Sequence, residues 1–316
     1  MRIIFIGTSL FGIPVLKKLI LSGEKIIAVV TQPDRPSGRG KRIQAPPIKE
    51  IALANNLALL QPENINDGHV IQKIKELKPD LMILVAYGQI LSKEVLDIPT
   101  LGCLNIHPSL LPKYRGSAPI QWAIIRGETE TGISFLFMNE KIDSGDIIAQ
   151  KKVEILPEET FRELNQRLAS KSAEMIEVIL EKIKIGNFQK ISQTQERYFY
   201  ARKLNKMDCR IHWENDAVNI YNLIRGLSPV PGAYTEFKGK KIKIIKAALS
   251  KENGITRELD YGKPGYIVNV KKEGLFVLSG DYKQIIVQRL ILSGSKEMDV
   301  SQFINGYHVN NSDYFY

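Results

Sequence analysis

Residues 1–30 read MRIIFIGTSLFGIPVLKKLILSGEKIIAVV, and this stretch predicts the fold of the first half of the chain. Arg2 to Ile6 is a short apolar run that ends at Gly7, as a buried strand does. Residues 11–22 carry apolar side chains at helical spacing and stop before a glycine. Ile26 to Val30 then indicates a second buried strand. A strand, a helix and a strand in so short a span favour a right-handed crossover, and hence a parallel, Rossmann-like sheet.

The pattern changes in the last third of the chain. A long amphipathic helix is predicted over Phe161 to Ile183, and apolar periodicity is then lost over 190–206, which we interpret as an interdomain linker. Short strand-like runs separated by Gly, Pro, Asn and Ser follow a helix-like start at 215–226. These runs are 242–248, 265–270, 275–279 and 284–292. Such a series is typical of a small β-barrel or a sandwich. We therefore expect an α/β catalytic domain at 1–189 and a small OB-like β-barrel at 207–316.

Composition and charge narrow the class of protein. The chain has 316 residues, 44% of them apolar and 25% charged, as in a soluble globular protein. It has only two cysteines and lacks an apolar run long enough to cross a bilayer, which favours a reducing, cytoplasmic location and no membrane partner. The net charge is +10, and the excess of Lys and Arg lies in residues 1–50 and 201–316. Two basic ends favour a large polyanionic partner, although a solvated basic surface would have the same composition.

The turn after the first strand is a weak motif. Gly7 to Gly12 stands where a dinucleotide fingerprint would stand, but Ser9 replaces the central glycine that lets the backbone approach a pyrophosphate. A turn that lines a substrate site is therefore favoured over nicotinamide-cofactor binding.

Three polar side chains form the candidate catalytic set. Asn105 and His107 alternate across one residue at the end of a predicted strand, so both face the same side. Asp143 follows in the turn of a predicted hairpin, and each could equally be structural on its own. Together an amide, an imidazole and a carboxylate at the carboxyl edge of a sheet can polarise an acyl oxygen and move a proton. Cys103 has no base at a recognisable spacing and is better explained as a buried strand residue.

The residues around this set resemble those of the folate-dependent formyltransferases. The resemblance rests on Asn105-Ile-His-Pro-Ser-Leu-Leu-Pro-Lys-Tyr-Arg-Gly116, on Val85-Ala-Tyr-Gly-Gln-Ile-Leu91 and on Met138-Asn-Glu-Lys-Ile-Asp143-Ser-Gly-Asp, and it covers essentially the whole chain. It implies transfer of a formyl group from 10-formyltetrahydrofolate to an amine, with Asn105, His107 and Asp143 on the catalytic positions. No metal and no covalent enzyme intermediate are expected.

The resemblance also implies where the folate co-substrate binds. A flat heterocycle needs backbone hydrogen bonds and apolar contacts. The positions that match the folate-contact segments of the family are Tyr87, Gly88, Gln89, Ile90 and Leu91 beside the pterin, and Ser109, Leu110, Leu111 and Pro112.

A basic insert and a basic strand suggest the second substrate. Thr31 to Pro47 is rich in Pro, Gly and Arg, so no regular element is expected there. The insert, the Ser117 to Trp122 segment and the Ile224 to Tyr234 segment together resemble one branch of the family. In that branch the formyl group is accepted by initiator methionyl-tRNA. The expected RNA contacts are Arg35, Arg39, Lys41 and Arg42 in the insert, and Lys241 and Lys243, which alternation sends outward from the first barrel strand. We expect a monomer.

Two other functions stay open from the sequence. One is a formyltransferase acting on another amine, such as a sugar nucleotide or a glycinamide, which would need neither the insert nor the basic barrel. The other is a non-catalytic RNA-binding protein, which would need none of the three catalytic candidates.

Overall fold

The structure is a computed structural model that describes residues 1–37, 42–194, 199–251, 263–311 and 313–316. The chain divides into two compact units. The first comprises 1–119, 130–154 and 165–202, and the second comprises 120–129, 155–164 and 203–316. Two segments of the expected catalytic domain thus belong to the second unit, and most of the expected linker belongs to the first.

A seven-stranded sheet forms the centre of the first unit. The strands of this unit are β1 (Arg2–Gly7), β2 (Lys25–Val30), β3 (Arg35–Ser37), β4 (Arg42–Gln44), β5 (Leu59–Leu60), β6 (Leu81–Val85), β7 (Cys103–His107), β8 (Glu130–Phe137) and β9 (Ile147–Glu154). The sheet order is β5-β2-β1-β6-β7-β8-β9. The first five strands of this order, β5, β2, β1, β6 and β7, are parallel to one another. Strands β8 and β9 extend the sheet with antiparallel pairing. The prediction of a mostly parallel, Rossmann-like sheet is confirmed.

Helices lie in the connections between strands and after the last strand of this sheet. They are α1 (Gly12–Leu21), α2 (Pro47–Ala54), α3 (Gly68–Glu76), α4 (Lys93–Leu96), α5 (Pro119–Ile125) and α6 (Phe161–Lys184). The central strands β6 and β7 are buried along their whole length. This is expected for strands covered on both faces, and it explains why β6, with the sequence LMILV, is continuously apolar rather than alternating.

The basic insert contains regular structure that the sequence did not predict. Strands β3 and β4 pair antiparallel, with Arg35 opposite Gln44 and Ser37 opposite Arg42. The expectation of an irregular segment was therefore wrong for these residues. The Pro-rich composition misled because Pro36 stands in a two-stranded ribbon, where it removes only one backbone donor.

An antiparallel sheet forms the centre of the second unit. Its strands are β10 (Ala233–Phe237), β11 (Lys240–Leu249), β12 (Ile267–Lys271), β13 (Gly274–Leu278), β14 (Gln284–Leu292) and β15 (Glu297–Asp299). Their order is β10-β11-β14-β13-β12, with β15 also paired to β14. Two further helices, α7 (Ala217–Leu227) and α8 (Val300–Tyr307), and a short 3-10 helix at Met207–Cys209 belong to this unit, together with most of α5 and the first residues of α6. Trp213 and Phe315 stack in its core, with ring centroids 5.7 Å apart.

The last residues of the chain meet both edges of this sheet. Tyr316 exchanges two backbone hydrogen bonds with Glu236 of β10, of 2.9 and 3.2 Å, and the amide of Ile267 in β12 donates to the carbonyl of Asp313 at 2.8 Å. Across the described part of the unit, β10 and β12 do not pair with each other directly. The observed architecture is therefore an antiparallel sheet whose two edges share the C-terminal residues.

Within the described ranges, none of the helices combines the length and the apolar character that crossing a bilayer requires.

Candidate active site

Strand β7 presents two of the three candidate catalytic side chains at its carboxyl end. Asn105 lies between Leu84 of β6 and Leu136 of β8, and His107 lies opposite Ser134 of β8. Both side chains are almost fully buried, with 6% and 5% of their residue surface exposed. Buried polar groups require hydrogen-bond partners, so the partners of these two side chains define the geometry of the site.

Asp143 reaches both of these side chains from the turn between β8 and β9. Its Oδ1 accepts from the amide of Asn105 at 3.1 Å, and its Oδ2 lies 3.6 Å from Nδ1 of His107. Oδ2 also accepts from the backbone N–H of Gly116 at 2.9 Å. The structure thus brings together the three residues singled out from the sequence.

Both ring nitrogens of His107 face an oxygen atom. Nε2 lies 3.0 Å from the carbonyl oxygen of Tyr114, which can only accept a hydrogen bond, so Nε2 must carry a proton. On the other side of the ring, Nδ1 faces the carboxylate of Asp143. The ring is therefore held between a backbone carbonyl and a side-chain carboxylate.

Two groups of the site come from backbone in the loop that follows the Leu-Leu-Pro segment. The carbonyl of Tyr114 and the amide of Gly116 hold the ring and the carboxylate, as described above. Residues 199–201 run beside this loop, since Tyr114 donates to Phe199, Ala201 donates to Arg115 and Ala118 donates to Ala201. Sequence reasoning missed these roles because a backbone group leaves no residue-type signal, although Gly116 did stand in the motif.

A cleft opens beside Asn105 and Asp143. It is lined by Leu84, Gln89, Ile90, Leu91, Asn105, Leu136, Met138 and the turn residues 139–145. Of the nine expected folate contacts, Gln89, Ile90 and Leu91 line this cleft, and the other six do not. Ile90 is 64% exposed, which leaves it available to a flat ligand.

The Ser109 to Pro112 segment has a structural setting. Ser109 and Leu111 are buried, and Leu111 packs with Leu136 and Ile147. The hydroxyl of Ser134 donates to the carbonyl of Ser109 at 2.6 Å and accepts from the amide of Leu111 at 3.0 Å. These bonds shape the segment between His107 and the loop that holds it.

Cys103 begins the same strand and is buried. Burial raises the pKa of its thiol to about 12, so it carries almost no thiolate near neutral pH. This fits the structural role expected for it.

The structure describes some of the expected RNA contacts but not all of them. Arg42 is exposed on β4, and Arg35 on β3 pairs with Glu63. Arg39 and Lys41 lie outside the described residues.

The two lysines on β11 alternate with the buried Ile242 and Ile244, as expected, but they are only half exposed. The Nζ of Lys241 lies 3.2 Å from the ring centroid of Tyr234, and burial, followed by the charges of Lys206 and Lys243, lowers its pKa. The Nζ of Lys243 donates to the carbonyl of Pro231 at 2.6 Å. Both ammonium groups therefore have intramolecular partners.

No cluster of three or more His, Cys, Asp or Glu side chains suited to a metal ion occurs among the described residues.

Comparison with known proteins identifies the family. The formyl transferase model matches residues 1–180, and the model of the formyl transferase C-terminal domain matches residues 203–308. The chain belongs to the formyltransferase family. The family predicted from the motifs is confirmed, and the protein is an enzyme of the formyltransferase type.

This formyltransferase has relatives of matching length. It is 42% identical to the methionyl-tRNA formyltransferase of Acetivibrio thermocellus, over 99% of both chains. It is 44% identical to the methionyl-tRNA formyltransferase of Thermodesulfovibrio yellowstonii, over 98% of this chain and 96% of that protein.

A solved structure shares the fold of the formyltransferase. The sugar 3N-formyl transferase WlaRD, solved in the presence of dTDP and 5-N-formyl-THF, superposes with a TM-score of 0.66 and 19% identity, over 91% of this chain and 97% of that one.

Proposed function

We propose that this enzyme transfers the formyl group of 10-formyltetrahydrofolate to the free amino group of initiator methionyl-tRNA, as a cytoplasmic monomer. The product, formylmethionyl-tRNA, would initiate translation. The observation that carries the proposal is the meeting of Asn105, His107 and Asp143 beside an open cleft. Relatives named methionyl-tRNA formyltransferase, of nearly the same length, support the choice of acceptor.

The chemistry assigns each of the three side chains a task. The amino group, in its neutral form, attacks the formyl carbon, and the carbonyl oxygen becomes an oxyanion in the tetrahedral intermediate. Asn105 uses one amide hydrogen on Asp143, and its second hydrogen remains for the oxyanion. The imidazolium of His107 stabilises the same negative charge. The C–N bond to N10 of the folate then breaks, and N10 gains the proton that the attacking amine loses, with Asp143 assisting the transfer.

The cleft supplies the chemistry that a folate requires. The apolar side chains of Ile90, Leu91 and Met138 suit the faces of a flat pterin ring. Gly88 has no side chain, and a Cβ built there would meet no atom within 4 Å, so the space beside its backbone is open. We assign the remaining expected folate contacts, Tyr87 and residues 109–112, to this co-substrate as well.

The acceptor RNA is assigned to the basic parts of the chain. We propose that the antiparallel sheet, closed into a small OB-like barrel by residues 313–316, contacts phosphate through Lys241 and Lys243. The insert of Arg35, Arg39, Lys41 and Arg42 would contact the acceptor end, where a planar guanidinium suits both phosphate and base edges. Domain limits of 1–189 and 207–316 remain our proposal for the division of labour between folate chemistry and RNA binding.

The first test removes the proposed oxyanion donor. Asn105→Ala is expected to lower kcat/KM by about a hundredfold or more, roughly 3 kcal/mol of transition-state stabilisation, while binding of the RNA persists. The assay measures formyl transfer from 10-formyltetrahydrofolate to charged initiator tRNA. Asn55→Ala is the matched control, since that exposed amide only contacts the carbonyl of Ile51.

Two outcomes would contradict the proposal. A wild-type rate for Asn105→Ala would remove the catalytic assignment. Equal or faster transfer to an amino sugar nucleotide or to elongator methionyl-tRNA would remove the initiator tRNA as the acceptor.

A further inference from the structure

Gln193 holds the turn of Asp143 from a distant part of the chain. Its side-chain Nε2 donates to the carbonyl of Asp143 at 2.9 Å and to the carbonyl of Gly145 at 2.7 Å. Its Oε1 accepts from Nε and Nη2 of Arg115, at 3.0 and 2.7 Å. The amide therefore uses both of its hydrogens and accepts two bonds at its oxygen, so its hydrogen-bonding capacity is filled.

Arg115 determines which way this amide faces. With the amide reversed, its oxygen would face two carbonyl oxygens and its NH₂ group would face a guanidinium, and every contact would be repulsive. Only one orientation is compatible with these neighbours. The pair of Arg115 and Gln193 therefore acts as a rigid clamp, which we define by these two residues.

The clamped turn has a backbone that needs support. Asp143 is not a glycine, yet its φ is +49°. Such a conformation is unfavourable for a residue with a Cβ and persists where the surroundings determine it. Gly145 packs so closely that a Cβ there would lie 1.7 Å from the carbonyl oxygen of Phe137. The clamp binds the carbonyls on both sides of this turn.

The same turn orients the carboxylate that meets the other two candidate residues. A small rotation at Asp143 would move Oδ1 away from Asn105 and Oδ2 away from Gly116 and His107. Arg115 belongs to the loop whose backbone contributes Tyr114 and Gly116 to the site. The clamp thus joins the turn and the loop that together surround the imidazolium.

We propose that Gln193 is a positioning residue for Asp143 and, through it, for formyl transfer. The inference rests on the proposed role of Asp143. Gln193 is neutral and does not line the cleft, so its contribution is geometric and is expected in kcat more than in the KM of either substrate.

The decisive variant keeps the shape of the side chain and removes its hydrogen bonds. Gln193→Met is expected to lower kcat by about tenfold to a hundredfold, with each KM changed by less than about threefold. Ser192→Ala is the matched control, because the neighbouring hydroxyl binds the side chain of Asp146 and neither clamped carbonyl. It is expected to stay within about twofold of wild type. A wild-type kcat for Gln193→Met, or a loss confined to KM, would overturn the proposal.

A second variant distinguishes loss of positioning from loss of folding. Gln193→Glu keeps an acceptor for Arg115 but turns a carboxylate oxygen toward the carbonyls of Asp143 and Gly145, so kcat should fall while the thermal midpoint stays near that of wild type. Recovery of the wild-type kcat by Gln193→Glu would overturn the clamp.

A double-mutant cycle separates this inference from the proposed function. If Gln193 acts through Asp143, Gln193→Met should lower kcat by less than about threefold in an Asp143→Asn background. Full multiplication of the two losses would overturn the inference while leaving Asp143 catalytic. A wild-type rate for Asp143→Asn alone would instead remove the proposed function of Asp143.

Discussion

At the scale of single residues, the site depends on backbone conformations that are uncommon. Tyr114 and Asp143 have φ angles of +62° and +49°, and Gly116 has a φ of +119°. These residues provide a carbonyl to His107, a carboxylate to the site and an amide to that carboxylate. Strain of this kind concentrates where a structure must aim particular groups, and here it places a carbonyl and a carboxylate at the His107 ring and an amide at that carboxylate.

Gly116 offers a direct test of this arrangement. A Cβ at this position would lie 2.6 Å from the carbonyl oxygen of Ala201, so Gly116→Ala must displace backbone as well as adopt a strained φ. We expect a loss of about 3 kcal/mol in the free energy of unfolding, with a lower kcat because the hydrogen bond to Asp143 is disturbed. Urea denaturation and steady-state kinetics measure the two effects.

Gly23→Ala is the control for the backbone strain alone. Gly23 also has a positive φ, of +77°, but a Cβ there would meet no atom within 4 Å. It should cost about 1 kcal/mol of stability and leave kcat unchanged. Equal stability losses in the two variants would show that the approach of Ala201 is unimportant.

At the scale of elements, helix α7 is anchored by a buried arginine. Arg225 is 8% exposed, and its guanidinium donates to Oδ1 of Asn222 at 2.9 Å and to the carbonyl of Glu159 at 3.0 Å. Burial lowers its pKa, but a guanidinium titrates so far above neutral that it stays charged. The side chain therefore ties the helix to residues 155–164 within the second unit.

Removing this guanidinium should destabilise the second unit. Arg225→Met retains much of the volume but leaves the carbonyl of Glu159 and the amide oxygen of Asn222 without their donor, so we expect a loss of about 3 kcal/mol in the free energy of unfolding. Lys246→Met, at an exposed position of β11, should change it by less than about 0.5 kcal/mol. Urea denaturation followed by circular dichroism would compare them, and similar midpoints would contradict the anchoring role.

At the scale of the whole molecule, charge distinguishes the two substrates. The net charge is +10, with the excess in the first fifty residues and in residues 201–316. A polyanion that contacts several Lys and Arg side chains releases counterions on binding, whereas a small folate releases few. Salt should therefore act on the two substrates to very different degrees.

The prediction is a steep salt dependence for the RNA alone. Raising monovalent salt from about 50 to about 200 mM should raise the KM for charged tRNA by about tenfold or more. The KM for 10-formyltetrahydrofolate should change by less than about threefold over the same range. Parallel curves for the two substrates would argue against a role of the basic segments in RNA binding.

Some elements of this fold could be predicted from the sequence, and others could not. Periodicity located α6 and β14 nearly to the residue, because a helix or strand repeats its buried positions locally. The hairpin of β3 and β4 was missed because its pairing overrides an unfavourable composition. The membership of 120–129 and 155–164 in the second unit was missed because local pattern carries no information on distant partners.

The sequence by itself determined the family, the order of a parallel and then an antiparallel sheet, and three residues at the carboxyl edge of β7 and in the turn beyond. Local side-chain patterns and short motifs carry that information. Only the tertiary structure decided that the carbonyl of Tyr114 lies against Nε2 of His107, that the amide of Gly116 binds Asp143 and that Gln193 holds its turn. Each of these hydrogen bonds joins a side chain to a backbone group, in residues as far apart as Asp143 and Gln193, and folding alone brings them together.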